Sequence, residues 1–154
     1  MSFAAALPWK SHSPPDRSLG HDAKRLRREF NEVAAALARS RLSSEMASRL
    51  HEAVVGYGPS VSYITFFKTV EFLDSLPPEL PLPIVVVESD DEIGLDWDED
   101  PLRVVSLTID SSEQIGFAGL FGREPLYGRV DYIDGLPRTL RFLLARLYPS
   151  IQLS

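Results

Sequence analysis

Two spacings of apolar residues divide the chain. Up to about Leu76 they recur three and four positions apart, the period of a helix. From Ile84 onward they alternate, the period of a half-buried strand. A first helix is predicted from about Asp22 to Arg41, with Asp22 as N-cap and Leu26, Phe30, Val33 and Leu37 as its buried stripe. A second runs from Ser44 to about Val55 on a narrow stripe of Met46, Leu50 and Val54. It stops at the breaker Gly56-Tyr57-Gly58-Pro59. A third runs from Ser60 to Leu76. Its apolar residues Val61, Tyr63, Ile64, Phe66, Phe67, Val70, Phe72 and Leu73 cover nearly the whole circumference. Such a helix is expected to be buried on two sides, in the core or against another chain.

Pro77, Pro78, Pro81 and Pro83 then force an extended connector. Beyond it, strands are predicted near 84–88, 92–98, 102–110, 114–121 and 126–132. In the second of these, Ile93, Leu95 and Trp97 alternate with Glu92, Gly94, Asp96 and Asp98, so the apolar set faces the core. Connections of about three to five residues favour antiparallel neighbours, because parallel pairs need long crossovers. A last helix over 136–148 carries Leu140, Leu143, Leu144 and Leu147 on one side and packs on the sheet. The fold class is therefore α+β: an N-terminal helical half of about three helices, then an antiparallel sheet of about five strands capped by a final helix. The expected layout is a loose leader over 1–20, a helical part over 21–76, the connector over 77–83, and the sheet with its helix over 84–154. The helical and sheet parts are expected to form one unit.

Composition narrows the functional classes. With 154 residues, 44% hydrophobic and 25% charged, the chain is long enough for one ordered core. It has no cysteine, which excludes disulfides, thiolate zinc sites, iron–sulfur clusters and a cysteine nucleophile. No apolar run approaches the roughly 18 residues that would span a bilayer. The apolar patch in Met1–Pro8 has no basic residue before it, so the expected location is the cytoplasm. Charge is split. Residues 1–51 carry nine Lys/Arg against five Asp/Glu, +4; residues 52–154 carry seven against seventeen, −10. A basic head on an acidic body either serves a partner or is matched within the fold.

The order of strand residues carries a resemblance. Asp91-Glu92-Ile93-Gly94-Leu95-Asp96-Trp97, then Val104–Ile109, then Phe117-Ala118-Gly119-Leu120-Phe121-Gly122, then Gly128 and Leu136-Pro137 follow one another. Over about residues 83–148 this resembles small bacterial proteins of no assigned activity, in which a D-G-E-I-G-L-x-W hairpin leads to a Y-A-G-L-F-G strand. Here Asp90-Asp91 stands where those proteins have Asp-Gly, and Phe117 where they have Tyr. The resemblance implies a bacterial or phage-derived origin and an association with paired or defence-linked gene sets. It implies no chemistry.

Candidate chemistry is sparse. Residues 88–101 hold eight acids in fourteen positions: Glu88, Asp90, Asp91, Glu92, Asp96, Asp98, Glu99 and Asp100. Carboxylates suit hard cations, but the offsets do not match a calcium loop, and a hairpin would split the acids between turns and one face. Docking of a basic partner through Asp96, Asp98, Glu99 and Asp100 ranks above metal. His12, His21 and His51 form no ligand pair, and no nucleophile elbow or phosphate loop is present. No catalytic residue, metal or cofactor is expected. Lys24, Arg25, Arg27 and Arg28 are the candidates for nucleic acid, though no aromatic platform interleaves with them.

The leading expectation is a non-catalytic protein-binding module, such as an antitoxin- or immunity-type neutraliser or a defence-complex subunit. Its partner-binding residues would be Tyr63, Phe66 and Phe67 on the third helix together with the acidic hairpin, and the partner another protein or a second copy. The alternatives are a carboxylate-metal hydrolase using residues 90–100 and a nucleic-acid regulator using the basic helix. No membrane association is expected.

Overall fold

Alternation after the proline connector becomes a five-stranded antiparallel meander in the computed structural model of the chain. The strands are β1 (Ile84–Ser89), β2 (Glu92–Asp100), β3 (Arg103–Ile109), β4 (Gln114–Phe121) and β5 (Glu124–Asp131), side by side in sequence order. The structure describes residues 42–57 and 61–153, together with Gly20, His21, Ala23, Lys24, Arg25, Arg27, Arg28, Asn31, Glu32 and Ala35. The leader expected before residue 20, Trp9 and His12 within it, and the stripe Leu26, Phe30, Val33 and Leu37 lie outside the described residues. The chain divides into two compact units, Met1–Glu32 and Val33–Ser154. In the first, the described residues from Gly20 to Glu32 are helical.

Three helices of the second unit have complete bounds: α1 (Ser44–Tyr57), α2 (Tyr63–Asp74) and α3 (Arg138–Leu147). The architecture is α+β, with the final helix following the sheet. Among the described residues no helix is long and apolar enough to cross a membrane.

Register assigns every strand residue to a face. Leu95 lies opposite Val85 and Leu107, Leu107 opposite Phe117, and Phe117 opposite Gly128. Side chains two apart share a face, so Ile93, Leu95, Trp97, Val105, Leu107, Ile109 and Ile115 point inward, and all are buried. Met46 and Leu50 of α1, Phe66, Val70, Phe72 and Leu73 of α2, and Leu140, Leu143, Leu144 and Leu147 of α3 complete the same core. Trp97 is 1% exposed, and its indole Nε1 donates to the Pro81 carbonyl at 2.8 Å. The proline connector is thereby tied under the sheet.

Local chemistry explains where the elements depart from the sequence-based bounds. Helix α2 begins after Ser62, not at Ser60. Ser62 takes an extended backbone (φ −69°, ψ 155°), and its hydroxyl accepts the Thr65 N–H at 3.2 Å, an N-cap. Strand β2 runs on to Asp100 through an irregularity in its pairing with β3 between Asp98 and Asp100. Strand β5 starts at Glu124 and takes in Pro125. A proline is tolerated there because β5 is an edge strand.

Candidate functional site

The eight acids of residues 88–101 do not converge. Asp91 sits in the β1–β2 turn with φ 59°, a left-handed conformation that Asp enters more readily than bulkier residues. Its carboxylate accepts the Ser62 N–H at 2.7 Å, at the start of α2. Partial burial pushes its pKa up, but hydrogen bonds from the Ser62 backbone and from the Thr65, Ser62 and Ser111 side chains outweigh this and hold the carboxyl below its ordinary value. Asp91 is therefore a fastener between hairpin and helix. Asp100 accepts the Leu102 N–H at 2.9 Å and closes the β2–β3 turn.

Glu99 is exposed and bonded to Tyr148, just beyond α3. Burial first, then the charge of Glu99 and its hydrogen bond, push that phenol up to about 12. Glu88, Asp96 and Asp98 alternate with the inward set and lie on the opposite face of the sheet. Among the described residues no group of three or more His, Asp or Glu side chains is placed to hold a metal ion. His21 and His51 are exposed on helical residues.

Helix α2 separates the three aromatic candidates. Phe66 is 3% exposed and packs in the core. Tyr63 and Ile64 are exposed at 40% and 50%, and Phe67 is half-buried beside Tyr63, their rings 6.0 Å apart and edge-on. Within the chain the helix is thus buried on one side only. The sheet side takes Phe66, Val70, Phe72 and Leu73, and an aromatic patch remains outside.

One residue of that helix has a role the apolar count concealed. Lys68 is buried, and its Nζ donates to the carbonyls of Asp110 (3.3 Å), Ser112 and Gln114 (2.8 Å). All three ammonium N–H bonds are directed into the β3–β4 turn. Burial lowers its pKa; the Asp110 carboxylate opposes that and Arg129 adds to it. An ammonium with every donor engaged by backbone is a structural clamp and presents no nucleophile. Arg129 extends the cluster to Asp110 Oδ2, Ser112 Oγ and Gln114 Oε1, each at 3.2 Å. Burial raises the Asp110 pKa, but its bonds from Ser112 and from Arg129 outweigh that and lower it overall. Lys68 is the one cation of α2, but nothing local marks the turn that it binds.

The basic candidates Lys24, Arg25, Arg27 and Arg28 are helical and exposed in the unit Met1–Glu32.

The second sheet face lies opposite the buried set. Its outward residues form rows across the strands: Ile84, Asp96, Ser106, Ala118 and Tyr127 in one; Val86, Gly94, Thr108, Gly116 and Arg129 in the next; Asp98, Val104, Leu120 and Pro125 in a third. No side chain in these rows is buried, and Tyr127 and Ile84 are 83% and 53% exposed. The glycines of the middle row lie beneath neighbouring side chains. A Cβ on Gly94 would come within 2.8 Å of Glu88, which reaches over to Thr108. Arg129 lies 3.7 Å from a Cβ on Gly116. Two grooves lie elsewhere. One of about 370 Å³ runs between the start of α1 and the connector, lined by Leu42, Met46, Leu76 and Leu80. One of about 380 Å³ lies beside Tyr132, with Glu71, Asp74 and Asp134.

No family model, curated protein or solved structure matches the chain.

Proposed function

We propose that the chain is a non-catalytic protein-binding module that receives a basic partner protein on the open face of its sheet. The carrying observation is the asymmetry of the sheet. An antiparallel sheet with one face on the core commonly presents a polar second face to water. This face also exposes Tyr127 and Ile84 at the two ends of one row, with half-buried Val86 in the row on one side and Val104 and Leu120 in the row on the other. Contiguous apolar exposure rimmed by charge is the usual mark of an interaction surface.

Its charges favour a cationic partner. Among the described strand residues, Glu88, Glu92, Asp96, Asp98 and Asp131 share the face with one cation, Arg129, which already pairs with Asp110 at 3.2 Å. Complementary potential speeds encounter and selects the partner. The metal-hydrolase reading finds no support among the described carboxylates, which are spent on turns, on Tyr148 and on this face. The finer reading, an antitoxin- or immunity-type neutraliser or a defence-complex subunit in a bacterial cytoplasm, rests on the strand-pattern resemblance.

The aromatic patch of α2 favours a second reading, docking through Tyr63, Ile64 and Phe67. One experiment separates the two. Tagged wild-type protein, Ala118→Arg and Phe67→Ala are compared for what they retain from the native host. Loss with Ala118→Arg alone supports the sheet face. Loss with Phe67→Ala alone transfers the function to α2. Equal retention by all three overturns both.

A further inference from the structure

Building on the open-face reading, we infer that the occupant is a basic amphipathic helix of the partner, seated along the strands, with one arginine or lysine paired to Asp96.

The face is divided. Glu88, crossing Gly94 to Thr108, and Arg129, crossing Gly116 toward Asp110 and Gln114, close the row nearest the polar cluster with the protein's own side chains. The adjacent row is left open. Its three central positions, Asp96, Ser106 and Ala118, are small or short, and its ends, Ile84 and Tyr127, are large, apolar and exposed. Neighbouring strands are about 4.8 Å apart, so the β1 and β5 rims stand roughly 19 Å apart. An α-helix with its side chains is about 10–12 Å across. A helix fits between the rims, with Ser106 and Ala118 beneath it and its apolar residues against Ile84 and Tyr127.

Asp96 specifies the charge of that helix. Its Oδ1 is shielded from solvent, and no hydrogen-bond donor meets it. A shielded acceptor without a donor is costly, and a carboxylate oxygen is best satisfied by a cationic N–H. The neighbouring acids cannot supply one, and among the described strand residues the one cation of this face, Arg129, is engaged with Asp110. With Oδ1 sealed off and undonated, the half-buried Asp96 side chain has its other oxygen left to take a guanidinium or ammonium delivered into the row.

The probe is an amidated helical peptide of about 18 residues built from alanine, leucine and arginine, long enough to hold a helix on binding. It is titrated into isotopically labelled full-length protein while backbone amide shifts are followed. Saturable shifts centred on Asp96, Ser106, Ala118 and Tyr127 are expected, with about tenfold or greater weakening in Asp96→Asn. A matched peptide with glutamine for arginine should bind as weakly to wild type as the arginine peptide does to Asp96→Asn. Circular dichroism checks that the variant folds, and Asp96→Ser replaces it if it does not. Shifts spread over Glu92, Asp98 and Asp131 and unchanged in Asp96→Asn would overturn the inference, as would a homodimer through this face in sedimentation. If a native partner is lost on Ala118→Arg but kept by Asp96→Asn, the inference falls and the docking face stands. If Ala118→Arg also keeps it, the docking face falls.

Discussion

The two faces of one sheet follow opposite rules. On the inner face, Ile93, Leu95, Trp97, Val105, Leu107, Ile109 and Ile115 of β2, β3 and the start of β4 are apolar residues at 0–1% exposure, and Arg103 at the start of β3 reaches the Leu147 carbonyl of α3. On the outer face, the two middle rows have Gly94, Asp96, Ser106, Thr108, Gly116 and Ala118 on the central strands, and the most exposed large apolar residues, Ile84 and Tyr127, stand on the edge strands. The same backbone and the same twist serve both. What differs is where volume is placed: in the middle when the sheet's own helices must be gripped, at the rims when the middle is left for something else. Long polar side chains, Glu88 and Arg129, cover the Gly94–Gly116 row of this face, and the Asp96–Ser106–Ala118 row beside it carries only short ones.

The largest expected effect tests that difference directly. Trp97→Ala removes the biggest inward side chain and leaves the Pro81 carbonyl without its indole donor. It should cost about 3–5 kcal/mol in urea unfolding. Tyr127→Ala on the opposite face should change stability by no more than about 0.5 kcal/mol. Similar losses for the two would erase the distinction between the faces. Next comes Lys68→Met, which keeps the aliphatic stem and removes the three bonds to the β3–β4 turn. A loss of roughly 1–3 kcal/mol is expected. A neutral result would show that the clamp contributes nothing.

A smaller effect comes from Asp91→Asn, which keeps a residue tolerant of the left-handed turn. It should cost about 1 kcal/mol at neutral pH. Its pH dependence has a fixed sign. The folded-state pKa of Asp91 is lowered, so its stabilisation is present above the ordinary carboxylate value near 3.8 and is lost as pH falls through the lower, folded value. Urea midpoints of wild type and Asp91→Asn should therefore converge in acid. A constant gap down to the lowest accessible pH would mean that the charge of Asp91 is not what fastens α2.

Sequence made the inner face legible and left most of the outer one unread, for physical reasons. Alternation at Ile93, Leu95 and Trp97 marks a strand and its buried side, and short polar connections imply antiparallel neighbours. Both features are local. Helix α2 shows where local reading ends. Eight apolar residues around a helix do not reveal that Phe66 meets the sheet while Tyr63 and Ile64 do not, because that depends on how the helix lies on the sheet. Lys68 was hidden for the same reason, since its three acceptors are 42–46 residues away. The acidic hairpin was visible as a run, but its division among the Ser62 cap, the Leu102 turn, Tyr148 and the open face requires the register. The row Ile84, Asp96, Ser106, Ala118 and Tyr127 draws one residue from each strand, and no sequence spacing announces it.

Site-specific photo-crosslinking is the most direct test that the open face is occupied. A photoreactive amino acid is placed at Tyr127 and, separately, at Phe142, which is 62% exposed on α3. Both variants are irradiated in living cells at native expression level. A discrete heavier adduct from position 127, absent from position 142 and abolished by adding Ala118→Arg, is the expected result. No adduct from 127, or the same adduct from both positions, would contradict the assignment of the open sheet face as the binding surface.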